Sequence, residues 1–325
     1  MPAEMHPGPA VGAVARHEWR LDVSSALAAG EELEIAASLA VPARAAPAAL
    51  LVCLPGGFLS RKYYDLDVDG DRRFSFAERM ATLGYATLAL DHLGVGDSSR
   101  PEDGWLLDVD ALARANQAAL EGALKRWAEE IAEAVPTIGV GHSMGSCLTV
   151  AQQARHAPHA ALVLFSFSTV GLHAFLQGRE LEFADDPDAA RAHIVELARE
   201  RFGSAYPDDL SDGAHAAFSV GSAPPDAERA LRAAATRVLP IPGTLSMIPG
   251  GFASWARDVT VPAFVAVGDH DLHPAHEGPS SLPNSSEVVA YTLEDCWHCH
   301  HIANTRERLW TRVARWVDAV LGPAD

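Results

Sequence analysis

The sequence predicts an α/β protein, a mostly parallel and doubly wound β-sheet covered by helices on both faces. Short, almost continuously apolar runs recur at 48–55 (AALLVCLP), 86–91 (ATLALD), 137–142 (TIGVGH) and 161–166 (ALVLFS), as expected for strands buried on both faces. Between them, residues 74–83 and 109–134 carry apolar side chains at three- and four-residue spacing, and a further helical pattern, 144–156, follows a strand directly. Alternation of buried strands with amphipathic helices is the signature of a parallel sheet. With 325 residues and 48% apolar content the chain is long enough for a sizeable core.

Taken in order, residues 1–16 form a loose Pro/Gly/Ala leader, and 17–25 and 31–42 alternate polar and apolar around Gly30, predicting an antiparallel strand pair. The β/α alternation stops after Ser168. It resumes at 261–268 (VPAFVAVG) and 288–293 (VVAYTL), with a last helix from about 303 to 321. Residues 169–258 are helical in pattern and acidic (Glu180, Glu182, Asp185, Asp186, Asp188), with large apolar groups at Phe175, Leu176, Phe183, Phe202, Phe218, Met247, Phe252 and Trp255. This segment reads as a cap inserted into a core made of 1–168 and 259–325.

Twenty-five Lys and Arg stand against 43 Asp and Glu, a formal charge of −18, so no positive field is available for nucleic acid. Residues 1–30 lack the basic start and apolar run of a secretory signal, and no stretch is apolar for long enough to span a bilayer. Four cysteines, at 53, 147, 296 and 299, are too few and too uneven for a disulfide framework. A reduced, cytoplasmic protein without a membrane or nucleic-acid partner is expected. An exposed apolar cap helix could pair two chains or line a pocket, leaving a homodimer open.

The chemistry-bearing residues fall at strand ends. Gly141-His142-Ser143-Met144-Gly145 closes a buried strand and opens a helix, the setting in which a serine is lifted clear of the sheet on a tight turn. A serine hydroxyl needs a base, and the base needs an acid to fix its tautomer. Gly268-Asp269-His270-Asp271 ends the strand 261–268, offering Asp269 and Asp271 at the edge where such sheets hold their sites. After the next strand, the run 294–301 offers His298, His300 and His301. His142 reads as a neighbour on the strand end. A competing reading takes Cys296-x-x-Cys299 and the interleaved histidines as zinc ligands, but His298 would then be lost as a base.

These motifs, in the order serine, acid, histidine, resemble the α/β-hydrolase family from about residue 48 to the C-terminus. The resemblance implies an α/β-hydrolase-type sheet with an inserted helical cap. It favours Asp271, three residues after the strand-ending glycine, over Asp269, and His298 over His300 and His301. It implies an oxyanion hole from the backbone N–H of Met144 and of Gly57 in Leu54-Pro55-Gly56-Gly57-Phe58, with Phe58 as the alternate donor. Proline at 55, where relatives often have histidine, and Trp297 before the histidine are departures. The 91–98 segment resembles a D-x-x-G-x-G-x-S loop and is assigned a structural role. The implied activity is cofactor-free hydrolysis of an ester on a small-to-medium hydrophobic substrate through an acyl-enzyme. Acyl transfer or a cyclising thioesterase, a triad-based lyase or C–C hydrolase, and a non-catalytic binding protein are the alternatives.

Overall fold

Five central strands buried along their whole length, with side chains on both faces of the sheet, assemble the fold. A computed structural model describes residues 14–27, 30–43, 45–131, 134–207, 223–274 and 276–322. The strands are β1 (Val14–Asp22), β2 (Glu34–Pro42), β3 (Leu50–Leu54), β4 (Ala86–Leu90), β5 (Thr137–His142), β6 (Ala161–Phe165), β7 (Ala263–Gly268) and β8 (Val288–Leu293). They form one sheet in the order β1-β2-β4-β3-β5-β6-β7-β8. β1–β2 and β2–β4 pair antiparallel, and every other pairing is parallel. On β3, Leu50, Val52 and Leu54 face one core while Leu51 and Cys53 face the other.

Helices α1 (Phe76–Thr82), α2 (Val109–Glu130) and α3 (Met144–His156) cover the first half of the sheet. α4 (Pro187–Ala192), α5 (Ile194–Phe202), α6 (Pro225–Ala233), α7 (Pro240–Met247) and α8 (Ala253–Arg257) all lie between β6 and β7, and α9 (Glu277–Ser281) and α10 (Arg306–Leu321) complete the chain. Side-chain caps set two of the starts: Ser75 accepts from Glu78 N before α1, and Asp108 accepts from Ala111 N at 2.7 Å before α2.

The boundaries differ from the sequence expectation in several places, the expected strand 17–25 for one ending at Asp22 before a 3₁₀ turn at Ser24–Ala26. Residues 1–13 of the expected leader lie outside the described residues, while 14–16 belong to β1, with Val14 opposite Pro42 and Arg16 opposite Ala40. Composition conceals this because an edge strand is held by main-chain ladder bonds and needs no apolar run. α2 ends at Glu130, short of 134. The last helix starts at Arg306 because 300–302 form a separate 3₁₀ turn.

The β6–β7 segment is fastened to the sheet domain from both sides. Leu176, Ala184, Ala190, Leu197 and Ile248 form a small core of its own, whereas Phe252 and Trp255 pack into the core of the sheet. Phe218 lies outside the described residues. Its Glu180 carboxylate is buried against Arg201 at 2.6 Å, which accounts for one acid in an otherwise solvated set. After α6 the chain clamps onto the 58–60 loop: Thr236 N donates to Phe58 O at 2.8 Å and Ser60 Oγ to Ala234 O at 2.9 Å.

That loop is anchored underneath by charge. Asp91, fully buried at the end of β4, accepts from Arg61 N at 2.6 Å, from the Arg61 guanidinium, and from Asp97 N at 2.9 Å. Burial disfavours the Arg61 charge, but Asp91, Asp97 and Glu18 outweigh it and hold the guanidinium above its usual range. Arg61→Met would leave Asp91 as an uncompensated buried charge, and about 3–5 kcal/mol of stability should be lost in urea denaturation at neutral pH.

Candidate active site

The site is built on the turn between β5 and α3. Ser143 has φ 54° and ψ −123°, a conformation sparsely populated by residues with a side chain. The flanking glycines permit it. A Cβ on Gly145 would lie 2.2 Å from Leu54 O, and one on Gly141 would lie 2.4 Å from Ser146 Cα. The turn is pinned by Ser143 N donating to Phe165 O at 2.8 Å and by Ser146 N returning to Ser143 O at 2.8 Å. Met144 is the first residue of α3, at the positive end of its dipole.

Asp271, in the loop after β7, has no exposed side-chain surface and is surrounded by donors. His298 Nδ1 meets Oδ1 at 2.7 Å, Leu272 N donates to Oδ1 at 2.8 Å, and Ser166 Oγ and Gly268 N donate to Oδ2. Burial pushes this carboxyl up, but His298, His300 and the Ser166 hydroxyl overcome it and keep Asp271 far below the usual carboxylate range. An ionised carboxylate only accepts, so His298 must carry its proton on Nδ1, leaving Nε2 with a lone pair.

A cavity of about 80 Å³ is lined by Ser143, Met144, Gly57, Phe58 and His298, among others. Its remaining wall is mainly apolar, from Leu59, Leu172, Leu231, Val238, Met247 and Leu272. All six residues singled out from the sequence therefore come to one place, Asp271 lying behind His298.

The other candidates go elsewhere. Asp269 accepts from Asp295 N at 3.0 Å and Cys296 N at 2.9 Å, tying the β7 loop to the β8 loop. His300 Nε2 lies 3.4 Å from Asp271 Oδ2 without hydrogen-bond alignment, and burial lowers His300 to about 4. His301 stacks on Phe76 and Tyr63 and accepts from Trp310 Nε1 at 3.0 Å. His142 bonds through Nε2 to His298 O at 2.9 Å, so it supports the backbone of the histidine loop.

Cys296 and Cys299 do not converge with these rings. Among the described residues no group of three or more His, Cys, Asp or Glu side chains is placed to hold a metal ion. Cys296 donates to Trp297 O at 3.2 Å, and burial pushes the Cys299 thiol up to about 12.

Three contributors were missed by sequence reasoning. Ser166 sits at φ 52° at the end of β6 and grips Asp271, and its only sequence signal is a polar residue closing the run ALVLFS. His92 Nε2 donates to Pro55 O at 3.1 Å while its Nδ1 meets Asn116 Nδ2 at 3.3 Å, steadying the loop that begins with Gly56. Nothing in the sequence marks Asn116 among the other polar residues of its helix.

A serine held in a strained strand-to-helix turn, facing a buried His–Asp pair at the carboxyl edge of a parallel sheet, is the layout of one fold class. A model described as the alpha/beta hydrolase family matches residues 51–310, and the chain belongs to that family. Solved structures of similar fold include a thermostable carboxyl esterase from Bacillus coagulans, with 14% identity and TM-score 0.63, covering 95% of this chain and 99% of that one. Others are a proline iminopeptidase from Mycobacterium smegmatis (16%, 0.60, 94% and 99%) and a thermophilic esterase from Thermogutta terrifontis (16%, 0.57, 94% and 100%). No curated protein matches in sequence. At such identities the likeness is one of fold. Among the described residues no helix is long and apolar enough to cross a membrane.

The buried imidazoles give the protein a pH signature. Burial lowers His142, His159 (to about 3), His300 (to about 4) and His301, so the unfolded chain binds more protons than the folded one once pH falls below about 6.5. Stability should be level between about pH 7 and 8 and fall progressively from pH 6.5 to 4, with His300 alone accounting for on the order of 3 kcal/mol. Urea midpoints across that range check it, and a midpoint that rises on acidification contradicts it.

Proposed function

We propose that the protein is a serine hydrolase that cleaves a carboxylic ester of a small-to-medium hydrophobic substrate. The observation that carries this reading is the 2.7 Å contact of Asp271 with His298, whose ring lines the same cavity as the strained Ser143. His298 Nε2 takes the proton of Ser143 Oγ as the oxygen attacks the ester carbonyl, and Asp271 stabilises the imidazolium that forms. The developing oxyanion is held by the backbone N–H of Met144, with the helix dipole behind it, and by that of Gly57 or its alternate Phe58. His298 then returns the proton to the leaving alcohol. Water, deprotonated by the same ring, attacks the acyl-enzyme, and the acid product departs with Ser143 restored.

The β6–β7 segment serves as the cap, supplying the apolar wall against which the hydrophobic part of the substrate lies as water is expelled. Ser166 acts as a positioning residue, since its bond to Oδ2 turns Oδ1 of Asp271 toward His298. Four free, buried cysteines suit a reducing compartment, and we place the protein in the cytoplasm.

Incubation with an aryl phosphonate should give a single adduct on Ser143 while p-nitrophenyl esters turn over with an optimum in acyl length. An unlabelled Ser143 together with no turnover of any ester would point to a lyase or binding use of the same groups. Ser143→Ala should lower kcat by at least about a thousandfold with the melting temperature nearly unchanged. Asp271→Asn should cost about a hundredfold or more in kcat, well beyond Asp269→Asn, whose carboxylate only ties two loops together. Equal losses for the two aspartate variants would remove Asp271 from the mechanism.

A further inference from the structure

One charged side chain stands in the cavity wall without a role in the chemistry. Arg232, in the last turn of α6, lines the cavity with Ser143 and His298, and every other lining group is apolar, a small polar residue or a buried imidazole. Among the described residues no carboxylate lies within ion-pair distance of its guanidinium, including Glu228 one turn earlier on the same helix. Eleven arginines of the described structure are ion-paired with a described carboxylate, whereas Arg232 lines the cavity. The position of Arg232 is not loosely defined either. Two residues later the chain clamps onto the 58–60 loop through Ser60 Oγ to Ala234 O and Thr236 N to Phe58 O, so α6 is fixed relative to the loop that carries Gly57.

We propose that the substrate carries a carboxylate that pairs with Arg232 while its ester lies against Ser143. This deepens the hydrolase reading and rests on it. The substrate class is then an acid-bearing ester, either a half-ester of a dicarboxylic acid or an ester whose alcohol part ends in a carboxylate. A guanidinium suits the task because it stays charged and offers two parallel N–H groups to a carboxylate. The side chain is exposed to solvent as well as lining the cavity, so its attraction for a carboxylate is felt at low ionic strength and is weakened by salt. The net charge of −18 makes the general field of the protein repel such a substrate, so a preference for it must come from this local group. Bound this way, the carboxylate fixes which end of the substrate lies under α6 and so orients the scissile bond.

The test compares kcat/KM for p-nitrophenyl hydrogen glutarate with that for p-nitrophenyl pentanoate, and for 4-acetoxybenzoate with that for phenyl acetate. The first pair places the charge on the acyl side and the second on the alcohol side. In at least one pair the charged ester should be favoured by about tenfold at low ionic strength, and 0.5 M salt should erode the ratio. R232Q should bring that ratio to about one, R232K should keep part of it, and R232E should invert it. A ratio near or below one in both pairs for the unaltered protein overturns the proposal, as does an R232Q protein that lowers both esters equally and keeps the ratio. Absence of turnover on all four esters together with an unlabelled Ser143 overturns the hydrolase reading and this one with it. Turnover with labelled Ser143 but no charge preference overturns this one alone.

Discussion

The backbone of Ser143 is the constraint around which the site is arranged. A residue with a side chain is held at φ 54° only where its surroundings leave no alternative. Here β5 and the start of α3 are pressed so closely against Leu54 and Pro55 that the helix cannot begin anywhere else. The same closeness brings the 55–58 loop beside the serine. The 55–58 loop and Ser143 are therefore not placed independently; one tight packing of the end of β3 against the β5–α3 turn sets both.

Around that turn the protein concentrates buried polar groups, each answered by a specific partner. Asp271 is completely enclosed yet strongly acidic, because donors from β6, from its own loop and from the β8 loop converge on its two oxygens. Arg61 and Asp91 do the equivalent next to the 58–60 loop, and His92 steadies the carbonyl of Pro55. Such networks give a single geometry when complete and are costly when broken. His301 behaves differently: it is enclosed by Tyr63, Phe76 and Trp310 and acts as a flat, neutral core ring.

The β6–β7 segment shows how a stretch between two strands comes to line a cavity. Its own core is small, and its outer elements borrow the core of the sheet through Phe252 and Trp255. Its contribution to the cavity is a mainly apolar wall with Arg232 in it, fixed by main-chain bonds to the 58–60 loop.

By itself the sequence determined the layered fold, because fully buried strands and amphipathic helices leave different periodicities. β5, β8 and α3 can be read to the residue from TIGVGH, VVAYTL and the run after Ser143. It also marked the strand ends where Ser143, Asp271 and His298 stand, since glycines and short polar runs interrupt apolar ones there. It could not choose among neighbours at one strand end. Asp269 and Asp271, or His298, His300 and His301, differ only in direction, and direction follows from the loop path that sends His300 and His301 inward and leaves His298 at the cavity. Nor could it find Ser166, Asn116 or Arg232, whose significance lies wholly in what they face across the fold. Local pattern encodes which element forms and where it stops; which side chains meet is decided by non-local packing, and only the tertiary structure holds that information.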